Sequence, residues 1–178
     1  QIYAQGMGQK VEDIGKAWLK AIQNPIPPVR VDRAACQEVV IKGDDLKKPG
    51  GGLAALPVPI STPGFDAAPY LCATICITKD PESGVRNMGT YRGQLKATDR
   101  LGVRMASRLG GAGGYAHWLK YQKLKKPMPI AIVIGCAPAI FFTGPQKLAI
   151  DQDEMGVAGA LLGESVRCVR CITNDLEV

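Results

Sequence analysis

Residues 70–78 read Tyr-Leu-Cys-Ala-Thr-Ile-Cys-Ile-Thr, and the chain turns shortly afterwards at 80–84, Asp-Pro-Glu-Ser-Gly. The first run is rich in β-branched and aromatic side chains and predicts a strand, whereas the second has the residues of a tight turn. The chain then returns through a predicted strand at 85–96, turns at 97–100, and enters a third strand at 101–106. Because these connections are short, we expect the three strands to pair antiparallel.

Helical and extended patterns flank this meander on both sides. Val11, Ile14 and Trp18 recur at helical spacing, which predicts an amphipathic helix at 11–22 that the proline-rich run at 24–28 ends. The remaining predictions are a strand at 36–42, a helix at 115–124, a strand buried on both faces at 129–135, a helix that begins near residue 153, and a final strand at 165–173. The predicted fold class is therefore α+β, with a mainly antiparallel or barrel-like sheet and flanking helices.

Length and composition restrict the class of protein. A chain of 178 residues is long enough for one sizeable core, and 46% hydrophobic against 21% charged residues is typical of globular proteins. Glycine and proline are frequent but aperiodic, which excludes a collagen or a pure helix bundle. No apolar run is long enough to cross a bilayer, so no membrane partner is expected. Because the chain begins with Gln1 and stops at Val178 within an extended pattern, we expect an internal piece of a longer polypeptide.

The charge is basic but not concentrated. There are 22 Lys and Arg residues against 16 Asp and Glu residues, a net charge of +6. Nucleic-acid surfaces usually combine a dense basic stripe with stacking rings, whereas here only Lys123, Lys125 and Lys126 cluster and aromatic residues make up 6%. No nucleic-acid partner is therefore expected, which leaves an anionic small molecule or no specific anionic partner.

Six cysteines and one histidine bear on metal and hydrolase chemistry. The spacing of Cys168 and Cys171 is that of a CxxC motif, but no second CxxC accompanies it, so a zinc site is poorly supported. Since the cysteines lie in apolar runs, we expect buried free thiols in a reducing compartment, the cytoplasm. A hydrolase would depend on His117, which at helical spacing is expected to be a surface or a hydrogen-bonded helical histidine. The glycines at 110–114 lack the order of a dinucleotide fingerprint and fit either a phosphate cradle or a flexible helix entry.

Two segments carry groups with more specific chemistry. Asn87 offers an oxygen ligand for a hard cation, and Arg92 offers a planar fork for a carboxylate or phosphate. Residues five apart on a strand face opposite sides, so both reach one pocket only if Gly89 marks a bulge or bend. The second segment, at 151–154, reads Asp-Gln-Asp-Glu before an apolar run. Its carboxylates suit the first turn of a helix, and one of them could also ligate a metal.

These segments belong to a set of motifs that occur in a fixed order along nearly the whole chain. The motifs are Asn24–Pro28, Cys36–Val40, Gly84–Arg92, Pro127–Ala131, Asp153–Leu161 and Cys171–Val178. Together they resemble the UbiD family of reversible decarboxylases, which use prenylated FMN. The resemblance implies a split β-barrel cofactor domain, like that of FMN-binding flavin reductases, at 36–178. It implies that residues 1–35 end an N-terminal helical or linker region, and that the C-terminal part with its oligomerisation domain is absent.

The resemblance also implies the cofactors and the residues of the site. The prenylated flavin is held through its phosphate by a divalent cation, typically manganese, with a potassium ion nearby. Asn87 and Glu154 match the metal ligands, and Arg92 matches the catalytic arginine that meets the substrate carboxylate. The remaining matches to cofactor-binding positions, among them backbone carbonyls for the potassium ion, are Met88, Thr90, Tyr91, Ser107, Arg108, Thr143, Gly144 and Gln146.

The sequence departs from the family pattern at two places. Arg108 stands where a histidine is commonly the third metal ligand, and a guanidinium cannot ligate a metal. We expect Arg108 to contact the phosphate directly instead, with the cation bound by fewer protein groups or replaced. The second departure is that the chain ends before the Glu-rich stretch that supplies the proton-transfer glutamate, so the proton donor is expected to be missing.

The activity implied is the reversible non-oxidative decarboxylation of an aromatic or α,β-unsaturated acid through a covalent prenylated-FMN adduct. A carboxy-lyase of this kind would depend on a flavin prenyltransferase for its cofactor and would form a homo-oligomer or a carboxylase complex. The alternative is a non-catalytic UbiD-like subunit of a multi-subunit carboxylase, which the change at Arg108 favours. A third hypothesis, an FMN reductase that oxidises NAD(P)H, has no use for Asn87, Arg92 and Glu154 together.

Overall fold

The computed structural model describes residues 1–107, 111–149 and 151–178. The α-helices of these ranges are α1 (Ile2–Gly6), α2 (Ile14–Gln23), α3 (Gly113–Lys123), α4 (Pro138–Thr143) and α5 (Glu154–Leu162). The strands are β1 (Val29–Val31), β2 (Tyr70–Leu71), β3 (Thr74–Lys79), β4 (Arg86–Gly89), β5 (Gly93–Ala97), β6 (Arg100–Val103), β7 (Ala131–Ile134) and β8 (Arg167–Val169). None of the helices in these ranges has the length and apolarity that a bilayer crossing requires.

The strands form three small sheets. One has the order β4-β3-β7 and another the order β2-β5-β6, and both are antiparallel throughout. The third pairs β1 with β8 in parallel. The expected mixed class with antiparallel sheets is therefore confirmed. None of the three sheets closes into a barrel within the residues described, so the split-barrel detail stays a prediction.

The predicted meander is present, but each of its first two strands is broken in the middle. Residues 72–73 separate β2 from β3, and residues 90–92 separate β4 from β5, so the run passes from one sheet to the other. Gly89 explains the second break. A Cβ atom at this position would overlap the Tyr91 ring, which folds back over the end of β4. The third strand is also shorter than predicted, since β6 ends at Val103.

Other predictions need correction. The strand expected at 36–42 is wrong: a 3₁₀ turn occupies Ala35–Gln37, and its neighbour Val39 is 78% exposed without a partner strand. The strand expected to be buried on both faces at 129–135 is the edge strand β7, and Ile134 is 52% exposed. The final strand is limited to β8 because the chain bends after it. Helix α4 was not predicted, although Pro138 stands in its first turn, where the missing N–H has no cost.

The helices predicted from apolar spacing are confirmed. A 3₁₀ turn at Val11–Asp13 leads into α2, and α3 begins two residues earlier than predicted. Helix α5 begins beside Asp153 as expected, and Asp153 Oδ1 accepts a hydrogen bond of 2.9 Å from the Met155 backbone N–H. This bond satisfies one of the free donors at the helix start. Further 3₁₀ turns lie at Gly43–Lys47 and Gly52–Ala55 in the long irregular segment before β2.

Helix α5 is the centre of the core because it is apolar on all sides. One side packs, with Met155 and Ala158, on Ile75, Ile77 and Met88 of the β4-β3-β7 sheet. The other side belongs to a second apolar cluster, whose buried members are Met7, Ala21, Ala139, Val157 and Leu161. Because α5 is buried on both sides, its first turn lies inside the protein, and Glu154, its first residue, is only 8% exposed.

The N-terminal segment lies directly on α5. The Ile26 N–H donates to the Gly156 carbonyl at 2.9 Å, and Val29 N–H donates to the Val166 carbonyl at 2.9 Å. Gly159 permits this close approach, since a Cβ atom there would lie 2.7 Å from the Ile26 carbonyl oxygen. The contact fixes the entry into β1 and its pairing with β8.

A pair of glycine substitutions tests this close approach. Gly159→Ala should lower the free energy of unfolding by about 1–3 kcal/mol, because the methyl group forces the Ile26 backbone away from α5. Gly15→Ala is the matched control: Gly15 lies in α2 with nothing within 4 Å of a Cβ atom, so alanine should stabilise by about 0.5–1 kcal/mol through helix propensity. Urea unfolding measures both, and equal effects of the two substitutions would contradict the contact.

Candidate active site

A cavity of about 770 Å³ opens beside β4 and the 90–92 segment, between the start of α3 and the loop after α4. Its volume is typical of sites that bind a cofactor or a small substrate. Most of the residues predicted for the site line it: Asn87, Met88, Thr90, Tyr91, Arg92, Gly144, Gln146 and Glu154. Ser107 and Thr143 are not part of the lining, and Arg108 lies outside the described residues.

The break after Gly89 is what brings Asn87 and Arg92 to the same cavity. Asn87 lies on β4, whereas Arg92 follows the break and precedes β5. The regular alternation of a strand would have sent their side chains to opposite faces. The bend expected at Gly89 is therefore present, and both residues line the cavity.

Tyr91 holds Asn87 in place. The Asn87 Nδ2 group donates to the Tyr91 hydroxyl at 3.1 Å, and the Gly114 backbone N–H donates to the same oxygen at 3.1 Å. This orientation places the amide oxygen of Asn87, Oδ1, against Gly113. A Cβ atom at residue 113 would overlap that oxygen. Burial is the largest contribution that raises the pKa of Tyr91, so its hydroxyl stays protonated at neutral pH.

Glu154 reaches the cavity from the start of α5. Its Oε2 accepts a hydrogen bond of 3.1 Å from the Met88 backbone N–H. Because β4 is the edge strand of its sheet, this N–H points away from β3 and needs an acceptor from elsewhere. Burial of the carboxylate raises the pKa of Glu154 to about 7, although the hydrogen bond from Met88 and the charge of Arg86 act in the opposite direction.

Thr90 carries an unused polar atom. Within residues 1–107, 111–149 and 151–178, its Oγ1 is the buried side-chain oxygen or nitrogen without a hydrogen-bond partner. Buried polar groups in folded proteins are nearly always paired. Since Thr90 lines the cavity, its Oγ1 is well placed to bond a polar ligand.

The cavity wall is rich in positive charge. Arg92 lies over the Tyr70 ring, with 6.0 Å between its Cζ atom and the ring centroid, and Arg104 is joined to it through a backbone hydrogen bond of 3.0 Å. Lys147 also lines the cavity. Arg86 lines it too, but its charge is paired with Asp153 and Glu177, and Glu154 is the carboxylate among the described residues of the lining. This balance favours a ligand with more than one anionic group, such as a phosphate and a carboxylate.

Several lining residues were not predicted from the sequence. They are Cys72, Arg86, Arg104, His117 and Lys147. Arg86 directly precedes Asn87 in the motif at 84–92, so its place in the cavity wall could have been predicted from the sequence. Lys147 comes from the loop after α4, a helix that was not predicted, and no local pattern singles it out. Cys72 and Cys36 are exposed, so the expectation of buried thiols is wrong for these two cysteines, whereas Cys76 and Cys168 are buried.

His117 is a hydrogen-bonded helical histidine rather than a surface one. It is 2% exposed, and its Nδ1 lies 2.9 Å from the Thr78 hydroxyl. Its Nε2 faces Asp80 at 3.9 Å, and Asp80 itself is bonded to Lys120 Nζ at 2.6 Å. Burial lowers the pKa of His117, so the imidazole is neutral at neutral pH. Both nitrogens face this buried network, which accounts for the histidine without a metal.

Thr143 is engaged within its own helix. Its hydroxyl donates to the Ala139 carbonyl at 2.8 Å, and its carbonyl accepts the Gln146 backbone N–H at 3.0 Å. Gly144 and Gln146 continue from it into the cavity wall. Of the three residues of this turn that were predicted for the potassium site, Gly144 and Gln146 therefore line the cavity and Thr143 does not.

A family model described as the 3-octaprenyl-4-hydroxybenzoate carboxy-lyase Rift-related domain of UbiD matches residues 28–178, most of the chain. The chain belongs to the UbiD family. Within the residues described, no three His, Cys, Asp or Glu side chains are grouped as a metal centre, and Asn87 and Glu154 are oxygen donors that line the cavity.

Solved structures of UbiD-class enzymes share this fold. An evolved dimeric form of HmfF from Pelotomaculum thermopropionicum, in complex with prFMN, is 32% identical with a TM-score of 0.86, and the match covers 99% of this chain and 40% of that one. Vanillic acid decarboxylase from Sedimentibacter hydroxybenzoicus, in its closed form, is 29% identical with a TM-score of 0.83 over 98% and 38%. Apo 3,4-dihydroxybenzoic acid decarboxylase (AroY) from Klebsiella pneumoniae is 26% identical with a TM-score of 0.80 over 98% and 36%. This UbiD chain thus spans about two fifths of the length of the proteins it matches.

The pH dependence of stability tests the environment of Glu154. Because its pKa rises from 4.5 in the unfolded chain to about 7 in the folded one, the folded state binds the extra proton between these values. The free energy of unfolding of the ligand-free protein should therefore fall as pH rises from about 4.5 to 7, by on the order of 3 kcal/mol.

Glu154→Gln removes this dependence, since the amide does not titrate. The measurement is urea unfolding in the presence of a chelator at pH 5 and pH 8 for both proteins. The lowered pKa of His117 acts with the opposite sign in the same range, but it contributes equally to both proteins and cancels in their difference. If the difference in unfolding free energy between the wild type and Glu154→Gln is the same at both pH values, the raised pKa of a buried Glu154 carboxylate is contradicted.

Removal of the Tyr91 hydroxyl tests the bond that orients Asn87. Tyr91→Phe leaves the Asn87 amide and the Gly114 N–H without their acceptor, which should lower the free energy of unfolding by about 1–3 kcal/mol. Tyr3→Phe is the matched control, because Tyr3 is 68% exposed and its ring contact with Phe142 is kept. Thermal unfolding that shifts equally in both variants would argue against the proposed role of the hydroxyl.

Proposed function

We propose that this UbiD chain forms the prenylated-FMN cavity of an enzyme that reversibly decarboxylates an aromatic or α,β-unsaturated carboxylic acid. The observation that carries the proposal is the position of Asn87, Arg92 and Glu154 on one cavity, to whose wall Arg104 and Lys147 add positive charge. The similarity to decarboxylases of 3,4-dihydroxybenzoic and vanillic acid supports the substrate class. The complex of HmfF with prFMN supports the cofactor.

The donor set fits a divalent cation that carries the flavin phosphate. Asn87 and Glu154 supply an amide oxygen and a carboxylate, the hard ligands that Mn²⁺ prefers, and Thr90 Oγ1 is free to bond the cofactor. Arg104 and Lys147 add positive charge for the phosphate. We propose Arg108 as a direct phosphate contact in place of the family histidine, and the carbonyls of Met88, Thr143, Gly144 and Gln146 as the surroundings of a potassium ion.

Arg92 is proposed to bind the substrate carboxylate. Its guanidinium forms two parallel hydrogen bonds to such a group and offsets its charge, and its contact with Tyr70 restricts its movement. When bound, the prenylated flavin supplies the electron sink that loss of carbon dioxide requires. The protein's part is to orient the carboxylate and to hold the charges of both ligands in one partly buried space.

The larger organisation follows from the same proposal. Residues 36–178 would form the cofactor domain, built as a split β-barrel, and residues 1–35 would end the helical region that precedes it. The proton donor, a glutamate of the downstream segment, and the oligomerisation domain would come from the remainder of a UbiD enzyme. A flavin prenyltransferase would supply the cofactor, and the enzyme would act as a homo-oligomer or within a carboxylase complex.

The second candidate is a UbiD-like subunit that does not catalyse the reaction. The observation in its favour is Arg108, which replaces a neutral nitrogen ligand with a cation. A subunit of this kind would keep the fold but would be isolated without flavin and without a divalent metal. The absorbance spectrum and the metal content of the purified protein distinguish the two candidates.

Substitution of Arg92 tests the main proposal. In the full-length enzyme that contains this chain, purified from a host that makes the flavin prenyltransferase, Arg92→Ala should lower kcat/KM for 3,4-dihydroxybenzoic or vanillic acid by about a hundredfold or more, since a paired charge is lost. FMN affinity should change by less than about threefold, because the phosphate contacts remain. Arg100→Ala is the control, an exposed arginine paired with Asp99. Turnover that survives in Arg92→Ala would remove Arg92 from the mechanism, and a colourless, metal-free wild type would favour the non-catalytic subunit.

A further inference from the structure

Arg86 lies at the first position of β4 and contacts two acidic groups from different parts of the chain. Its Nη2 atom is 3.4 Å from Asp153 Oδ2 and 3.6 Å from Glu177 Oε2. The Arg86 side chain is 13% exposed, and the carboxylates are 32% and 29% exposed, so the cluster is largely shielded from water. Ion pairs in such surroundings are screened less than those at the surface.

The two partners of Arg86 lie on two different segments, the first turn of α5 and the C-terminal segment at 174–178. Asp153 uses its other oxygen, Oδ1, to cap the start of α5, so the ion pair and the cap act on the same turn. Glu177 belongs to the segment at 174–178, which returns along β8: Val169 and Val178 exchange two backbone hydrogen bonds of 2.7 and 2.9 Å. Arg86 therefore joins β4, the first turn of α5 and this segment.

We propose that Arg86 is a positioning residue that holds Glu154 in the cavity wall by fixing the first turn of α5 and the 174–178 segment to the start of β4. Glu154 directly follows Asp153, and its carboxylate bonds the Met88 N–H two residues after Arg86 on the same strand. The two connections between β4 and α5 therefore run side by side. The consequence for cofactor binding rests on the proposed function, in which Glu154 is a metal ligand.

Charge explains why an arginine is needed here. Without Arg86, the carboxylates of Asp153 and Glu177 face each other without a counter-charge, and their repulsion acts directly on the first turn of α5. A guanidinium offers several donors in one plane and can serve both carboxylates at once, which the point charge of a lysine does less well. Glu154 would then lose its fixed position relative to Met88.

Hydrogen exchange of the Met88 backbone amide tests the proposal without any cofactor. The variants are Arg86→Met, Arg86→Lys and Glu177→Gln, and Arg100→Met is the control for loss of a surface charge. In Arg86→Met, the Met88 amide should exchange about tenfold faster, while amides of the central strand β3 keep their wild-type rates. Arg86→Lys should restore part of the protection, because it keeps the charge but not the planar fork, and Glu177→Gln should give a smaller acceleration than Arg86→Met.

A merely structural role gives a different pattern. If Arg86 only contributed to global stability, exchange would accelerate across β3 and β4 together in Arg86→Met, and that result would overturn the proposal. Unchanged protection of Met88 in a folded Arg86→Met would overturn it as well. If Arg86→Met does not fold, Glu177→Gln decides: faster exchange confined to Met88 supports the proposal, and wild-type rates contradict it.

FMN titration in the presence and absence of Mn²⁺ gives the second measurement. Arg86→Met should raise the Kd for FMN about tenfold with Mn²⁺, as expected when a partner behind a metal ligand is removed, and change it little without Mn²⁺. An equal change under both conditions would overturn the link to Glu154. Should wild-type protein bind neither FMN nor Mn²⁺, the proposed function fails, while the Met88 exchange rates still decide the positioning role.

Discussion

The hydrogen bond between the Glu154 carboxylate and the Met88 backbone N–H connects the central helix α5 to strand β4. The donor is available because β4 is an edge strand, and the acceptor is available because α5, buried on both sides, draws its first residue inwards. Both groups are largely buried, and a buried donor or acceptor left without a partner is costly. The sheet, the central helix and the cavity therefore meet at this contact, and the raised pKa of Glu154 follows from the same burial.

Around this contact, the chain collects groups that are far apart in sequence. The break at Gly89 brings Asn87 and Arg92 to the same cavity, and the loop after α4 adds Gly144 and Gln146 to its lining. The backbone, rather than any one side chain, creates the cavity.

The sequence allowed much of this arrangement to be predicted. The β-rich run and the turn residues were sufficient for the course of the meander, although not for the breaks in its strands. The acidic residues before an apolar run were sufficient for α5, and Gly89 was correctly identified as the place where a bend would be needed. The strand expected at 36–42 failed because Val39 and its neighbours are exposed and apolar content alone does not provide a pairing partner.

Other features depend on contacts between distant segments and have no local signal. The unpaired hydroxyl of Thr90 is apparent only when its surroundings are known, because threonine is usually satisfied by water or by nearby backbone. The ion pairs of Arg86 join residues far apart in the chain, and the sequence shows only that an arginine precedes Asn87. The motifs, through their resemblance to a family, were therefore more informative about the site than spacing was.

The parallel pairing of β1 with β8 has a consequence for the order of folding. Val29 lies opposite Arg167, so this small sheet closes a loop that contains most of the chain. Forming such a long-range contact requires closing a long loop, which lowers the entropy of the chain before the contact stabilises it. Contacts of this kind contribute to slow folding. During synthesis, β1 emerges first but has to wait without its partner until β8 leaves the ribosome, whereas β3, β4 and β7 can already associate. Of the strands in the described residues, β1 is thus the first to be made and among the last to pair.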